Sequence, residues 1–188
     1  MNKPTFFSVL LVLVLGGCTD KYCNFDPEAD RNPPVLFQYE YYNYAWGFRH
    51  HGFMIDERGY INGFQQPTRW IAPDSTGMLT REDLEHNLDR CDTICGKVDR
   101  ETLYHYFDKI EDVRFGKVED TGNYMADAGI GILSAWYWNK QEQKYESVFL
   151  ASNGDMNQTN INASVNEIVE WLKDAGKKTE RFYWFGGH

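Results

Sequence analysis

The chain has 188 residues, of which 28 are Asp or Glu and 19 are Lys or Arg, so its formal net charge is −9. Nucleic acid and anionic lipid repel a chain this acidic, so we expect no nucleic-acid partner. Aromatic residues make up 16% of the sequence and fall in clusters, which is typical of an ordered globular protein rather than a flexible stalk.

The amino terminus predicts export across a membrane. Lys3 precedes an apolar run from Phe6 to Leu15 that only Ser8 interrupts. About ten apolar residues are too few to span a bilayer, where about twenty are needed. They do match the length and flanks of a secretory signal peptide.

The stretch Leu15-Gly16-Gly17-Cys18 at the end of this run resembles the lipobox of bacterial lipoproteins. In that family the cysteine sulfur takes a diacylglycerol before the chain is cleaved in front of it. The resemblance implies a signal peptide at residues 1–17, lipidation of Cys18 with acyl chains such as palmitate, and a membrane anchor in the cell envelope. Thr19 implies the outer membrane rather than the inner one. The alternative is an ordinary signal peptide that leaves Cys18 as a free thiol.

Two regions follow the lipobox. Residues 18–34 predict a tether, because they are polar and acidic, contain three prolines and show no periodicity. Residues 35–188 predict a single domain, since a segment of this length can build one hydrophobic core.

The domain begins with predicted strands. Residues 35–46 are β-branched and aromatic, which is the composition of a long strand. Residues 52–56 and 60–65 flank Glu57-Arg58-Gly59 and predict a hairpin, with Gly59 at the position that requires a positive φ.

Helices and a second hairpin follow. Thr80 to Asp83 has the pattern of a capping box, and apolar positions recur at helical spacing as far as Cys95, before Gly96 ends the helix. Residues 100–113 predict a second helix. The stretches AGIGILSAWYW and KYESVFLAS predict two strands, and residues 164–176 predict a last helix. The order βββααββα predicts an α+β fold, with an antiparallel sheet of about five strands packed with three helices.

Cys91 and Cys95 form a candidate disulfide in an oxidising envelope. Two cysteines four residues apart on an unbroken helix do not meet disulfide geometry, so a bond would require the helix to loosen near Gly96. Without a bond, both thiols fill space as small core residues. Both interpretations stay open.

The predicted second hairpin suggests a pair of carboxylates. If Trp138 pairs with Lys144, the same register places Asp127 opposite Asp155. Such carboxylates repel unless a cation lies between them, and Ca²⁺ suits these oxygens together with that of Asn157. The alternative is that these residues end strands and form local turns. Apart from this Ca²⁺ we expect no cofactor.

The first strand carries aromatic residues on both sides: Tyr42, Tyr44 and Trp46 on one, and Phe37, Tyr39 and Tyr41 on the other. One side must pack on helices. If the other is exposed, it forms a flat platform for sugar rings or for a protein partner. The alternative is that both sides are covered, with the terminal stretch RFYWFGGH as one cover.

The catalytic motifs sought in this sequence are missing. It contains no Gly-x-Ser-x-Gly elbow, no P-loop, no His-Glu-x-x-His and no Cys-x-x-Cys. The sequence therefore predicts a non-catalytic, lipid-anchored envelope protein that binds an envelope protein or a glycan, or has a structural role. The alternative is an envelope hydrolase, or a calcium-dependent domain, that uses Asp127 and Asp155.

Overall fold

The computed structural model describes residues 32–45, 47–122, 125–182 and 184. Within these residues nine strands form one sheet. The strands are β1 (Val35–Asn43), β2 (Arg49–Asp56), β3 (Tyr60–Gln65), β4 (Met78–Leu79), β5 (Thr93–Lys97), β6 (Val118–Asp120), β7 (Ile130–Asn139), β8 (Lys144–Gly154) and β9 (Gln158–Asn160). The helices are α1 (Arg81–Leu88), α2 (Arg100–Phe107), the single turn α3 (Ile110–Val113), and α4 (Val165–Gly176).

The sheet is built from antiparallel pairs. Its spatial order is β5-β3-β2-β1-β7-β8-β9-β6, and β4 pairs with β8 beside this path. The long strands β1, β2, β7 and β8 occupy the middle, and the short ones lie toward the edges. No helix in the described part of the chain is long and apolar enough to cross a bilayer.

The predicted sheet of about five strands in the order βββααββα is wrong. Strands β4, β5, β6 and β9 are two to five residues long, and the sequence patterns predict a strand at none of them. A strand this short shows no periodicity that a sequence window can detect. It forms because the neighbouring strand presents backbone N–H and C=O groups that need partners.

The first predicted helix ends early. Its capping box is confirmed, since Asp83 N donates to Thr80 Oγ1 at 3.1 Å and Thr80 N donates to Asp83 Oδ2 at 3.0 Å. However, α1 ends at Leu88, and residues 93–97 run as β5 beside β3. The β-branched pair Thr93-Ile94 suits a strand, and pairing with β3 outweighs the helical spacing of the cysteines.

The hairpin of β2 and β3 is confirmed. Its turn contains Gly59 at φ +86°, and Gly59 N donates to Asp56 O at 2.9 Å. The Asp56 carboxylate accepts hydrogen bonds from the backbone N–H groups of Arg58 and Tyr60, both at 2.9 Å. The turn is therefore fixed by local contacts that its own sequence specifies.

The hairpin of β7 and β8 forms with a different register from the predicted one. Trp138 pairs with Tyr145 rather than with Lys144. A β-bulge then shifts the register again, because Leu150 is an extra residue in β8 between two paired positions. The predicted juxtaposition of Asp127 and Asp155 depended on a register without this bulge.

Both faces of the sheet are covered. On the first face, α2, α3 and α4 pack against the sheet in one hydrophobic cluster that includes Phe37, Tyr39, Leu133, Ile168 and Leu172. On the second face, α1 and the segment before it pack in another cluster that includes Met54, Phe64, Leu84, Trp136 and Tyr145. The predicted last helix is confirmed as α4, although Ser164 makes no side-chain cap.

Candidate functional site

The residues of the predicted aromatic platform do not share one exposed surface. Tyr42 is half-buried on the second face, where its ring stacks on His50 with ring centroids 4.3 Å apart. Tyr44 is 74% exposed and contacts Phe48, which is 52% exposed, with ring centroids 5.2 Å apart. Trp46 lies outside the described residues. Within the described part of this turn, the exposed aromatic surface is therefore the Tyr44–Phe48 pair.

Tyr42 belongs to a polar network around Glu40. One carboxylate oxygen, Glu40 Oε1, accepts from Tyr42 Oη at 2.8 Å and from Trp70 Nε1 at 2.9 Å, and it lies 3.2 Å from His50 Nε2. Burial, and then the charge of Glu40, raise the pKa of the Tyr42 phenol well above its ordinary value. The network ties the segment that carries Trp70 to the sheet.

A cleft of about 590 Å³, which we call the hairpin cleft, opens beside the β1–β2 turn. Its lining includes Tyr41, Phe48, Arg49, His51, Gln65 and Arg181. The Gln66 side chain fixes one wall, because its Nε2 donates to Phe48 O at 2.8 Å and its Oε1 accepts from His50 N at 2.6 Å. The cleft thus combines an exposed aromatic ring with several hydrogen-bond donors.

The charges around the hairpin cleft are mixed. Arg181 pairs with Asp92, and Arg49 lines the cleft together with the oppositely charged Glu180. Burial, and then the charges of His50, Arg49 and Arg181, together lower the pKa of His51 to about 4. His51 is therefore neutral at pH 7, and neither sign of charge dominates the cleft.

A second cleft of about 660 Å³, which we call the amide groove, lies between the end of β8 and α4. Its lining includes Thr121, Asn153, Gln158, Asn166, Lys173 and Trp184. Lys173 Nζ lies 5.2 Å from the centroid of the Trp184 ring and pairs with Glu170 at 2.7 Å. The groove therefore offers neutral amides, a neutralised ion pair and an indole.

Two of the candidate calcium ligands, Asp155 and Asn157, accept hydrogen bonds from backbone N–H groups. Asp155 accepts from the N–H groups of Ala128 at 2.9 Å and Gly129 at 3.2 Å, and Asn157 Oδ1 accepts from Gly154 N at 3.1 Å. Asp127 has a positive φ of 61° and an exposed side chain. In the described residues, no group of three or more His, Cys, Asp or Glu could hold a metal. The calcium site stays a prediction.

Cys91 and Cys95 are free thiols in this structure. Cys91 packs against the hydrophobic cluster of the second face, and Cys95 packs against that of the first face. Burial raises the pKa of the Cys91 thiol to about 12, so Cys91 is a weak nucleophile at neutral pH. The lipidation candidate Cys18 lies outside the described residues.

Sequence reasoning missed most residues of the two clefts. Asn153, Gln158 and Asn166 come from two strands and a helix, and Trp184 comes from the carboxy-terminal segment. The density of aromatics in RFYWF was the one signal that pointed to this segment. Comparison with protein-family models, with curated proteins and with solved structures finds no match to this chain.

Proposed function

We propose that this protein is a lipid-anchored component of the bacterial cell envelope whose domain binds a glycan without catalysing a reaction. The anchor is inferred from the resemblance of residues 15–18 to a lipobox, and the outer membrane from Thr19. The observation that carries the binding function is the composition of the amide groove, which is lined by four neutral amide side chains and an indole.

The chemistry of the groove suits a sugar. Each sugar hydroxyl both donates and accepts hydrogen bonds, and an Asn or Gln side chain offers one acceptor and two donors. The apolar face of a sugar ring packs on an aromatic side chain such as Trp184, whose N–H remains available to a polar partner. Because Lys173 is neutralised by Glu170, the groove does not require a charged ligand.

Two alternatives receive less support. A hydrolase that uses Asp127 and Asp155 would need free carboxylates, but Asp155 already accepts two backbone hydrogen bonds. A stable protein–protein interface covers about 800 Å² on each partner, whereas both candidate surfaces here are concave clefts. A calcium titration of thermal stability tests the calcium-dependent form of the alternative.

Glycan binding is tested with the full-length protein in detergent on an array of neutral and acidic glycans. We expect binding to neutral glycans, and we expect the double variant N166A/Q158A to weaken it about tenfold or more, since two hydrogen-bonding side chains are lost. Q141A is the matched control, because Gln141 is exposed in the β7–β8 turn. Failure to bind any glycan would contradict the proposal.

Anchoring is tested separately in cells. We expect labelled palmitate to be incorporated into the wild-type protein and not into the C18A variant. Incorporation that is unchanged in C18A would place the lipid elsewhere or show that the resemblance is accidental.

A further inference from the structure

We infer that the hairpin cleft and the amide groove are two parts of one elongated site that binds a neutral glycan chain of several sugar rings. This inference rests on the proposed function and adds the form of the ligand, an oligosaccharide rather than a single sugar.

The two clefts share one row of the sheet. Through successive strand pairs, Gln65 lies beside His51, His51 beside Tyr41, Tyr41 beside Gly131, and Gly131 beside Asn153. Gln65, His51 and Tyr41 line the hairpin cleft, and Asn153 lines the amide groove. Neighbouring strands are about 4.8 Å apart, so Tyr41 and Asn153 are separated by about 10 Å.

The clefts also lie on the same face of the sheet. Tyr41 in the hairpin cleft belongs to the first-face hydrophobic cluster, as do Ala151 and Val169 in the amide groove. A ligand chain lying across this end of the sheet would therefore meet both clefts without bending around an edge.

The carboxy-terminal segment supplies a wall to each cleft. Arg181 lines the hairpin cleft and Trp184 lines the amide groove, and three residues span at most about 11 Å. Between them, Phe182 packs on Tyr39 with ring centroids 4.8 Å apart. It lies so close to Gly176 that a Cβ there would come within 2.6 Å of its ring. The segment is thus docked against both the sheet and α4.

Each cleft presents an aromatic ring with polar neighbours. Phe48 lines the hairpin cleft together with Arg49 and Gln65, and Trp184 lines the amide groove together with Asn166 and Lys173. The charges are mixed or paired in both clefts. Two clefts of similar chemistry, whose lining residues Tyr41 and Asn153 lie about 10 Å apart, suit a polymer of similar units better than two unrelated ligands.

The inference is tested by calorimetry on the full-length protein with two ladders of one to six units, chito-oligosaccharides and cello-oligosaccharides. Occupying both clefts with one chain raises affinity beyond that of either cleft. We expect affinity in at least one ladder to rise at least about tenfold from the monosaccharide to the longest chain and then to level off.

Variants in each cleft complete the test. F48A in the hairpin cleft and N166A in the amide groove should each weaken binding of the hexasaccharide about tenfold and flatten its dependence on length. F115A and Q141A are the matched controls, because Phe115 is 78% exposed and Gln141 is exposed, and neither lines either cleft. We expect both controls to bind as the wild type does.

The outcomes separate this inference from the proposed function. Affinity independent of chain length, or loss of binding in variants of one cleft alone, would overturn the elongated site while leaving glycan binding intact. Failure of both ladders would overturn the ligand assigned to the elongated site, and failure on the glycan array as well would overturn the proposed function.

Discussion

The two faces of the sheet are covered by different means. On the first face, α4 buries six residues: Val165, Ile168, Val169, Leu172, Ala175 and Gly176. On the second face, α1 buries only Leu84 and Asn87. Hydrogen bonds also hold α1 and the segment before it against the sheet. Trp70 donates to Glu40 from the segment before α1, and the Asn87 side chain bonds to both backbone groups of Ile71.

Apolar packing and a hydrogen-bond network therefore hold a helix against the sheet in ways that differ in local stability. Buried apolar area is distributed over many contacts, so α4 and the sheet should unfold together. A few hydrogen bonds hold a segment in one position but lose most of their effect when one partner is removed. We therefore expect the cover of the second face to open locally before the first face unfolds.

The largest effect should come from a cavity in the first face. L172A removes a fully buried side chain of α4 and should lower the free energy of unfolding by about 2–5 kcal/mol. The matched variant L84A removes a fully buried leucine of α1. It should lower the free energy of global unfolding by less, because α1 can detach while the rest of the fold stays intact. Denaturant unfolding with hydrogen exchange measures both. Equal global losses would contradict the comparison.

A smaller effect is expected from the network on the second face. E40Q removes the charge that Tyr42, His50 and Trp70 surround, and should lower the free energy of unfolding by about 1–2 kcal/mol. Amide exchange should accelerate mainly in the segment around Trp70. E82Q, at an exposed position of α1, is the control. If E40Q were as stable as the wild type, the Glu40 network would not be what holds the segment around Trp70 against the sheet.

The smallest effect on stability at neutral pH is expected from His51, because its contribution to the free energy of unfolding changes only in acid. Its pKa is lowered from 6.5 to about 4 in the folded protein, so between these values the unfolded chain binds a proton that the folded protein does not. Stability should therefore fall as pH decreases from about 6.5 to 4, and be unaffected by His51 above that window. In H51Q this part of the fall should be missing.

The comparison for that variant is H105Q, at an exposed position of α2. Denaturant unfolding at pH 7 and at pH 4.5 gives the difference for each protein. If H51Q and wild type lost equal stability between these two pH values, the depressed pKa would be contradicted.

Elements with local signals could be predicted from the sequence, and those that depend on distant partners could not. The turn at Gly59, the capping box at Thr80 and the stripe of α4 each lie within a short stretch, and the structure confirms them. Strand β5 forms because β3 lies beside it. The sequence around Cys95 carries no sign of this distant partner, and its local spacing therefore predicts a helix.

The candidate site follows the same rule. Local sequence patterns identify Tyr44, whose exposure fits a binding surface, but they place Tyr42 on the same platform, although Tyr42 is half-buried against His50. The amide groove joins residues that are far apart along the chain, such as Asn153 and Trp184. Only the sheet order and the course of the last segment bring them together.

The bulge at Leu150 lies just before the residues of β8 that line the proposed glycan site. Successive side chains of a strand point to opposite faces, so one extra residue reverses the phase of every position beyond it. Asn153 lies beyond the bulge and reaches the amide groove in this phase. Deleting Leu150 would remove the bulge but leave Ala151 paired with Leu133 and Asn153 paired with Gly131, so Asn153 would keep its direction. One residue inserted between Ala151 and Asn153 would instead turn Asn153 toward the other face. The position of a change in length therefore matters: loss of the bulge residue leaves the amide groove intact, whereas an insertion beyond the bulge removes Asn153 from it.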